Sequence, residues 1–361
     1  MKMYNMLVIN PGSTSTKISY FSDEEEIFTE NIVHKREELK TFHKMFEQFD
    51  YRYDLIIKFM EEKNIRPEEL HAVVARGGLM KPVPAGTYNI DEAMIGDLRD
   101  KSEERWGFEH AANLAAPIAY KIATSHGMPS FIVDPITVSE LPPVARISGV
   151  PEIEYRSTLH ALNLRAVGRL VAQEYLNKKF DEVNMIGTHM GGGISVAAFN
   201  HGKAVDVNMG ALGYGPFSPQ RAGTLAIIDV MRLCFSGRYT QKDLMKKFMK
   251  ESGLTGYLGT DDAIEIEKRI NKGDEKAKLV YEAMAYGTAK EIASMAAVLK
   301  GSVDGIFITG GLANSKMVVE NIKDMVGFIG KVFVYPSQNE MHALALGALR
   351  VLKGEEKALT Y

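Results

Sequence analysis

The sequence predicts an α/β fold built from two related domains. Residues 183–207 read as strand, glycine turn, strand, turn and strand, with His189-Met190-Gly191-Gly192-Gly193 at the first turn. Residues 5–21 repeat the plan about 180 residues earlier: an apolar strand, a Pro11-Gly12-Ser13-Thr14 turn and a second strand carrying Lys17. Around these hairpins, short apolar runs alternate with longer stretches of helical periodicity, as in α/β domains.

A chain of 361 residues is long enough for two domains, each with its own core. Apolar residues at 45% and charged residues at 25% give the balance of a soluble globular protein. A net charge of −3 gives no electrostatic reason to expect nucleic acid or an anionic membrane as partner. The one cysteine, Cys234, excludes an internal disulfide framework and fits a reducing, cytoplasmic compartment. Met1 to Asn5 lead straight into a strand, so no signal peptide is expected. No apolar run approaches the roughly 18 residues of a membrane span.

Glycines in the 189–193 turn accept positive φ and let a ligand approach the backbone, whose N–H groups can cradle a phosphate. Walker loops and dinucleotide fingerprints open a helix, whereas this turn joins two strands. Alone, it reads equally well as a tight hairpin with no ligand. A second copy suggests two halves facing each other across a nucleotide. That layout resembles the superfamily of acetate and sugar kinases, heat-shock chaperones and actin.

Taken in order, Asp23 to Glu26 read as a solvated acidic turn. Residues 35–63 carry apolar side chains at helical spacing opposite a charged face, which predicts one long packing helix stopped by the Asn64–Pro67 segment. Residues 71–75 form a strand ending at Arg76-Gly77-Gly78, where Arg76 either reaches an anion or simply ends the strand. The loop Leu79-Met80-Lys81-Pro82-Val83-Pro84 either lines an apolar pocket or packs on its domain. A helix over about 109–126 precedes a strand at 130–133 that delivers Asp134. A carboxylate there either meets a ligand beyond the strand end or caps a turn. Proline-rich residues 139–156 read as the crossing between domains. Ser157 caps a helix running to about Asn177, with His160 in its first turn. After the central hairpin, a loop over 210–223 places Arg221 just ahead of a helix. Helices follow over about 225–235, 240–251, 261–271 and 274–299. The strand at 305–309 ends in Gly310-Gly311-Leu312-Ala313-Asn314, a glycine pair opening a helix whose N-terminus can meet an anion. A strand at 332–335, the Pro336–Glu340 loop and a closing helix to about Leu352 finish the chain. Zinc spacings, Cys-His pairs, Ser-His-Asp order and RNA-binding signatures do not stand out.

Five of these segments, in this order, resemble the acetokinase family, most closely its butyrate kinase branch. They are residues 8–17, His189 to Gly193, Arg221-Ala222-Gly223-Thr224, Gly310 to Asn314 and Asn339-Glu340. The resemblance implies the duplicated two-domain actin-like ATPase fold with the active site in the interdomain cleft. Residues 1–150 with about 340–361 would form the domain with carboxylate-side contacts, and 151–339 the nucleotide-binding domain. It further implies reversible phosphoryl transfer between ATP and a short-chain carboxylate, with magnesium and a homo-oligomeric state. Position by position, Asn10, Asp134 and Glu340 would hold magnesium. Ser13, Thr14, Ser15 and Lys17 would face the transferring phosphate. His160, His189 and Arg221 match the transition-state stabilisers. Gly191, Gly192, Gly193, Asp262, Gly310, Gly311, Leu312 and Asn314 match the nucleotide contacts. The sequence departs from the acetate kinases in several places. Val73 stands where they carry their substrate-binding arginine, so that role passes to Arg76. Ile264 replaces an arginine near the adenine, Met341 a glutamate, Pro11 an alanine, and Leu159 a phenylalanine.

A short fatty acid is already an anionic nucleophile at pH 7, so the implied reaction needs charge cancellation rather than a general base. Butyrate is the expected acid, with acetate, propionate and branched acids as alternatives. A rival class is an ATP-driven switch like actin or the chaperones, which would need a water-positioning residue and a partner module. A sugar- or polyphosphate-acting enzyme is the second rival, and it has no reason to combine Arg221 with two histidines.

Overall fold

The computed structural model describes residues 3–336 and 339–361. Ser337 and Gln338, in the expected loop before the closing helix, lie outside the described residues. Two units emerge from the packing: Met1–Val138 with Asn339–Tyr361, and Ser139–Gln338.

In the first unit, β1 (Asn5–Pro11) and β2 (Ser15–Ser22) pair antiparallel, from Asn5 opposite Ser22 to Pro11 opposite Thr16. The expected acidic turn is shorter than its charges suggested. Asp23 turns the chain at φ 51, and Glu25 and Glu26 already belong to β3 (Glu25–Val33). That strand is an exposed edge, where charged side chains discourage pairing with another chain. β4 (Ala72–Arg76) lies parallel to β1, and β5 (Thr87–Asn89) takes the far edge antiparallel to β6 (Ser130–Val133). β6 lies parallel to β4, giving the order β3-β2-β1-β4-β6-β5.

The single helix expected over 35–63 is broken. A turn of helix at Arg36–Leu39 ends where the Thr41 hydroxyl bonds back to the Glu38 carbonyl at 2.7 Å. The Glu47 carboxylate then accepts the His43 and Lys44 N–H groups at 2.6 and 3.2 Å, and the chain restarts as a 3-10 turn and the helix Phe49–Glu62. That helix and Ala115–Ser125 cover one sheet face, with Leu7, Ile9, Val73, Ala75, Ile56 and Ile118 in a common core. The closing helix Glu340–Leu352 packs against β1, β4 and β6, and Gly347 is where a Cβ would collide with Val133. Leu79, Met80 and Val83 are buried side chains of this unit, so their loop packs on its own domain.

In the second unit, β7 (Asn184–Met190), β8 (Ile194–Asn200) and β9 (Lys203–Val207) form the antiparallel meander. His201 and Gly202, at φ 48 and 73, make the second turn. β10 (Gly305–Thr309) lies parallel to β7, and β11 (Val332–Tyr335) parallel to β10. The order β11-β10-β7-β8-β9 reproduces that of β6, β4, β1, β2 and β3, with the same strand directions. Duplication is therefore visible in topology as well as in the hairpins. The long helix Glu275–Val298 covers one face through Tyr281, Met284 and Ile292. Ala161–Leu176 covers the other, with Gly168 against the Phe180 ring.

Three boundaries move from their expected places. The helix after Ser157 starts at Ala161, leaving His160 at its N-cap and the Ser157 hydroxyl buried without a hydrogen bond. Arg221 sits within a loop, since the next helix begins only at Ile227. The Gly310-Gly311 pair opens a 3-10 turn, and the α-helix behind it, Lys316–Val326, is capped by Ser315. Among the described residues no helix is long and apolar enough to cross a membrane.

Candidate functional site

The functional side chains of the first unit stand at the ends of neighbouring strands. Asn10 on β1 lies directly opposite Lys17 on β2, so both side chains leave the same face beside the turn. Lys17 is exposed and makes no hydrogen bond or ion pair among the described residues. Arg76 ends β4 and Asp134 follows β6. Three neighbouring parallel strands thus deliver polar groups at their carboxyl ends, where open α/β sheets bind ligands.

Asn10, Arg76 and Glu340 converge. Asn10 Nδ2 donates to Glu340 Oε2 at 3.0 Å, and Arg76 Nη1 donates to the same oxygen at 3.2 Å. Arg76 Nη1 also lies 3.5 Å from Asn10 Oδ1. Glu340 is the first residue of its helix, and Asn339 caps that helix by accepting from Met341 N at 3.0 Å. Arg76 Nε and Nη2 form no hydrogen bond among the described residues, leaving the side-on edge that binds a carboxylate through two parallel bonds. Asp134 is buried at φ 39, its Oδ1 accepting from Gly86 N at 2.9 Å and its own N–H donating to Gly86 O at 2.9 Å.

The turn itself is Gly12 to Ser15, closed by Gly12 N donating to Ser15 O at 2.7 Å. Ser13 and Thr14 are exposed at its tip. Behind it lies a residue that the sequence reading did not single out. Arg52 is fully buried, and its guanidinium fans out to the turn's carbonyls. It stands three residues after Phe49 and four before Ile56, on the apolar side of its helix.

In the second unit, the two histidines stack, with ring centroids 4.0 Å apart and planes 16° from parallel. His160 Nδ1 lies 2.9 Å from Ser195 Oγ, and His189 Nδ1 lies 2.7 Å from Asn163 Oδ1. An amide oxygen only accepts, so His189 carries its proton on Nδ1. Sequence reasoning missed both partners. Ser195 is the residue opposite His189 in the hairpin, and Asn163 is one helical turn beyond His160.

Arg221 reaches the glycine turn from a loop pinned to it. Ser218 Oγ donates to Gly192 O at 2.7 Å, and Gln220 N donates to the same carbonyl at 3.3 Å. A Cβ on Gly193 would stand 2.5 Å from Arg221 Nη1 and 2.7 Å from its Cζ, while one on Gly191 would stand 3.4 Å from His189 Nε2. The turn therefore lies between a histidine ring and a guanidinium. Arg221 is partly buried, and loss of water alone pushes its guanidinium below its ordinary value. Its side chain makes no hydrogen bond or ion pair among the described residues, while its backbone N–H donates to Ser218 Oγ at 3.2 Å.

Other predicted contacts have local duties. Asp262 caps the helix Ala263–Asn271, accepting from Ile264 N at 2.8 Å. Gly310, at φ 89, passes so close to the Met190 backbone that no side chain fits. Gly311 is open, Leu312 is buried in the second core, and Asn314 Nδ2 turns back to Gly311 O at 3.0 Å.

For a divalent cation, the first unit offers an amide oxygen from Asn10 and the carboxylates of Asp134 and Glu340, which are hard donors suited to magnesium. Among the described residues no three His, Cys, Asp or Glu side chains form a metal-holding group.

The structure superposes on the acetate kinase of Porphyromonas gingivalis with a TM-score of 0.80 and 19% identity, over 97% of this chain and 100% of that one. A propionate kinase from Francisella tularensis subsp. tularensis gives a TM-score of 0.75 at 19% identity, over 96% and 99%. The acetate kinase of Entamoeba histolytica gives 0.74 at 17%, over 95% and 98%. At these identities the likeness establishes the fold, a two-domain α/β structure of the actin-like ATPase kind. A family model described as the acetokinase family matches residues 158–347. That span exceeds half of the sequence, and the chain belongs to the acetokinase family, whose members are phosphotransferases with a carboxyl group as acceptor and ATP or ADP as nucleotide.

Proposed function

We propose that this protein is a butyrate kinase, transferring the γ-phosphoryl of ATP reversibly to a short-chain fatty acid, and that Arg221 is its chief stabilising cation. The observation that carries the reading is that guanidinium: partly buried, against the glycine turn, and with no counter-ion among the described residues. Holding an unpaired charge out of water is costly, and an anionic ligand would relieve the cost.

The acid arrives ionised and is clamped by the Nε and Nη2 edge of Arg76, whose Nη1 is held by Glu340. The N–H groups of the 12–15 turn and Lys17 receive the transferring phosphoryl oxygens. His189, its Nδ1 proton held by Asn163, donates from Nε2 to phosphoryl oxygen as the imidazolium, and His160, with Nδ1 held against Ser195, donates from its Nε2. No proton leaves the carboxylate, so the histidines act as donors and not as bases. Asn10, Asp134 and Glu340 would hold magnesium, which when bound would neutralise phosphate charge. The glycines of 191–193 and the 310–314 turn approach the nucleotide through backbone. Asp262 serves from its cap position. We further propose a homo-oligomer in the cytoplasm, a compartment that the lone exposed thiol of Cys234 supports.

Preference for butyrate rests on Leu159, a buried aliphatic side chain beside His160 where acetate kinases have a ring. Each methylene buried contributes about 0.8 kcal/mol, so two give butyrate about 1.6 kcal/mol, or about fifteenfold in kcat/KM over acetate. Leu159→Phe should narrow that ratio. Equal use of the two acids by the native enzyme, or an unchanged ratio in the variant, would return the reading to an acetate, propionate or branched-acid kinase.

A further inference from the structure

Arg52 raises a question that packing does not answer. Its side chain is 0% exposed, yet no carboxylate pairs with it among the described residues. Nη1 donates to Gly12 O at 2.9 Å, Ser15 O at 3.3 Å and Thr16 Oγ1 at 3.1 Å, and Nη2 to Ser13 O at 3.4 Å. Nε and Nη2 both donate to Gln48 Oε1, at 3.0 and 2.8 Å. Every one of these acceptors is neutral. Thr16 Oγ1, which accepts from Arg52, also lies 2.9 Å from His34 Nε2, and burial keeps that imidazole uncharged at neutral pH. Glu38 is exposed and is engaged by Tyr51 and Lys35. The cluster therefore carries a net positive charge.

A carbonyl bound from behind fixes the orientation of its peptide plane. With the oxygens of residues 12, 13 and 15 drawn to one guanidinium, the turn is held in a single shape. We propose that Arg52 is a positioning residue for phosphoryl transfer: it sets the 12–15 turn from behind, and its uncompensated charge raises the turn's attraction for the transferring phosphate. This rests on the reading that the turn faces phosphate. Lysine cannot replace it, because one ammonium has three donors and no planar fork to reach carbonyls on both sides.

Gln48→Glu separates charge from scaffolding. It keeps an acceptor for both Arg52 bonds while cancelling the charge. We expect an unchanged or higher melting temperature, a carboxylate KM within about twofold of native, and a kcat lower by about tenfold or more. Arg52→Lys should lower kcat at least as far and also lower the melting temperature. A Gln48→Glu enzyme with native kcat would overturn the proposal. So would a destabilised one, since it would mean that the guanidinium is already balanced. A native enzyme that makes no acyl phosphate would instead retire the functional reading beneath it.

Discussion

Gly193→Ala tests the placement of Arg221 without touching the arginine. The added Cβ would stand 2.5 Å from Nη1 and 2.7 Å from Cζ, against the 3.4 Å at which ordinary contact begins. The guanidinium must retreat by roughly 1 Å, and a displacement of that size can cost about 10² in rate. Folding should change little, because Gly193 is not in the left-handed region and the obstacle is the far end of a flexible side chain. Initial rates of ADP formation with saturating acid, in a coupled assay, would show the loss in kcat. The decisive arm is the double variant. Arg221→Ala alone should lower kcat by at least about 10², and adding Gly193→Ala to it should do nothing further. The resulting coupling energy is about 2.7 kcal/mol, the free-energy equivalent of the hundredfold single effect. Native turnover in Gly193→Ala, or the same fractional loss in both backgrounds, would refute the argument that the turn acts through Arg221.

Glu340→Gln should raise the magnesium concentration needed for half-maximal rate, because a hard cation loses an anionic oxygen. An unchanged titration would leave Glu340 as the partner of Arg76 alone. His34 is held down to about 4, first by burial and then by the nearby Arg52 charge. An unfolded histidine titrates near 6.5, so between these values the unfolded chain binds the extra proton. Stability is full above about 6.5 and falls as pH drops towards 4. His34→Gln should flatten the melting temperature over that window, and an unaltered slope would assign the acid loss to other groups.

Much of this was legible in the sequence, for reasons visible in particular residues. Glycine turns and strand-end polar residues are local signals, so the duplicated hairpins and the strand-end positions of Asn10 and Arg76 could be read directly. Helix starts behaved likewise: those expected at about 261 and 274 fall at Ala263 and Glu275, although the capping duties of Asp262 and Asp274 were not read. Illegible features depend on contacts distant in sequence. The break after Leu39 comes from hydrogen bonds by Thr41 and Glu47, while the apolar spacing runs on through it. β3 hid behind charges that suit an edge strand as well as a loop. Ser195 and Asn163 would have followed from carrying the hairpin register and the helical turn one step further. Arg52 stands three residues after Phe49 and four before Ile56, on the apolar ridge, but a charged side chain is ordinarily left in solvent, and only the fold turns it towards the Gly12 carbonyl.

Trapping with hydroxylamine tests the central claim most directly. The purified chain would be given ATP, magnesium, hydroxylamine and a series of acids from acetate to hexanoate, with ADP and acyl hydroxamate measured together. Carboxyl phosphorylation predicts one hydroxamate per ADP, no ADP without acid, and a maximum at butyrate about fifteenfold above acetate in kcat/KM. ADP released without hydroxamate, whichever acid is present, would contradict it.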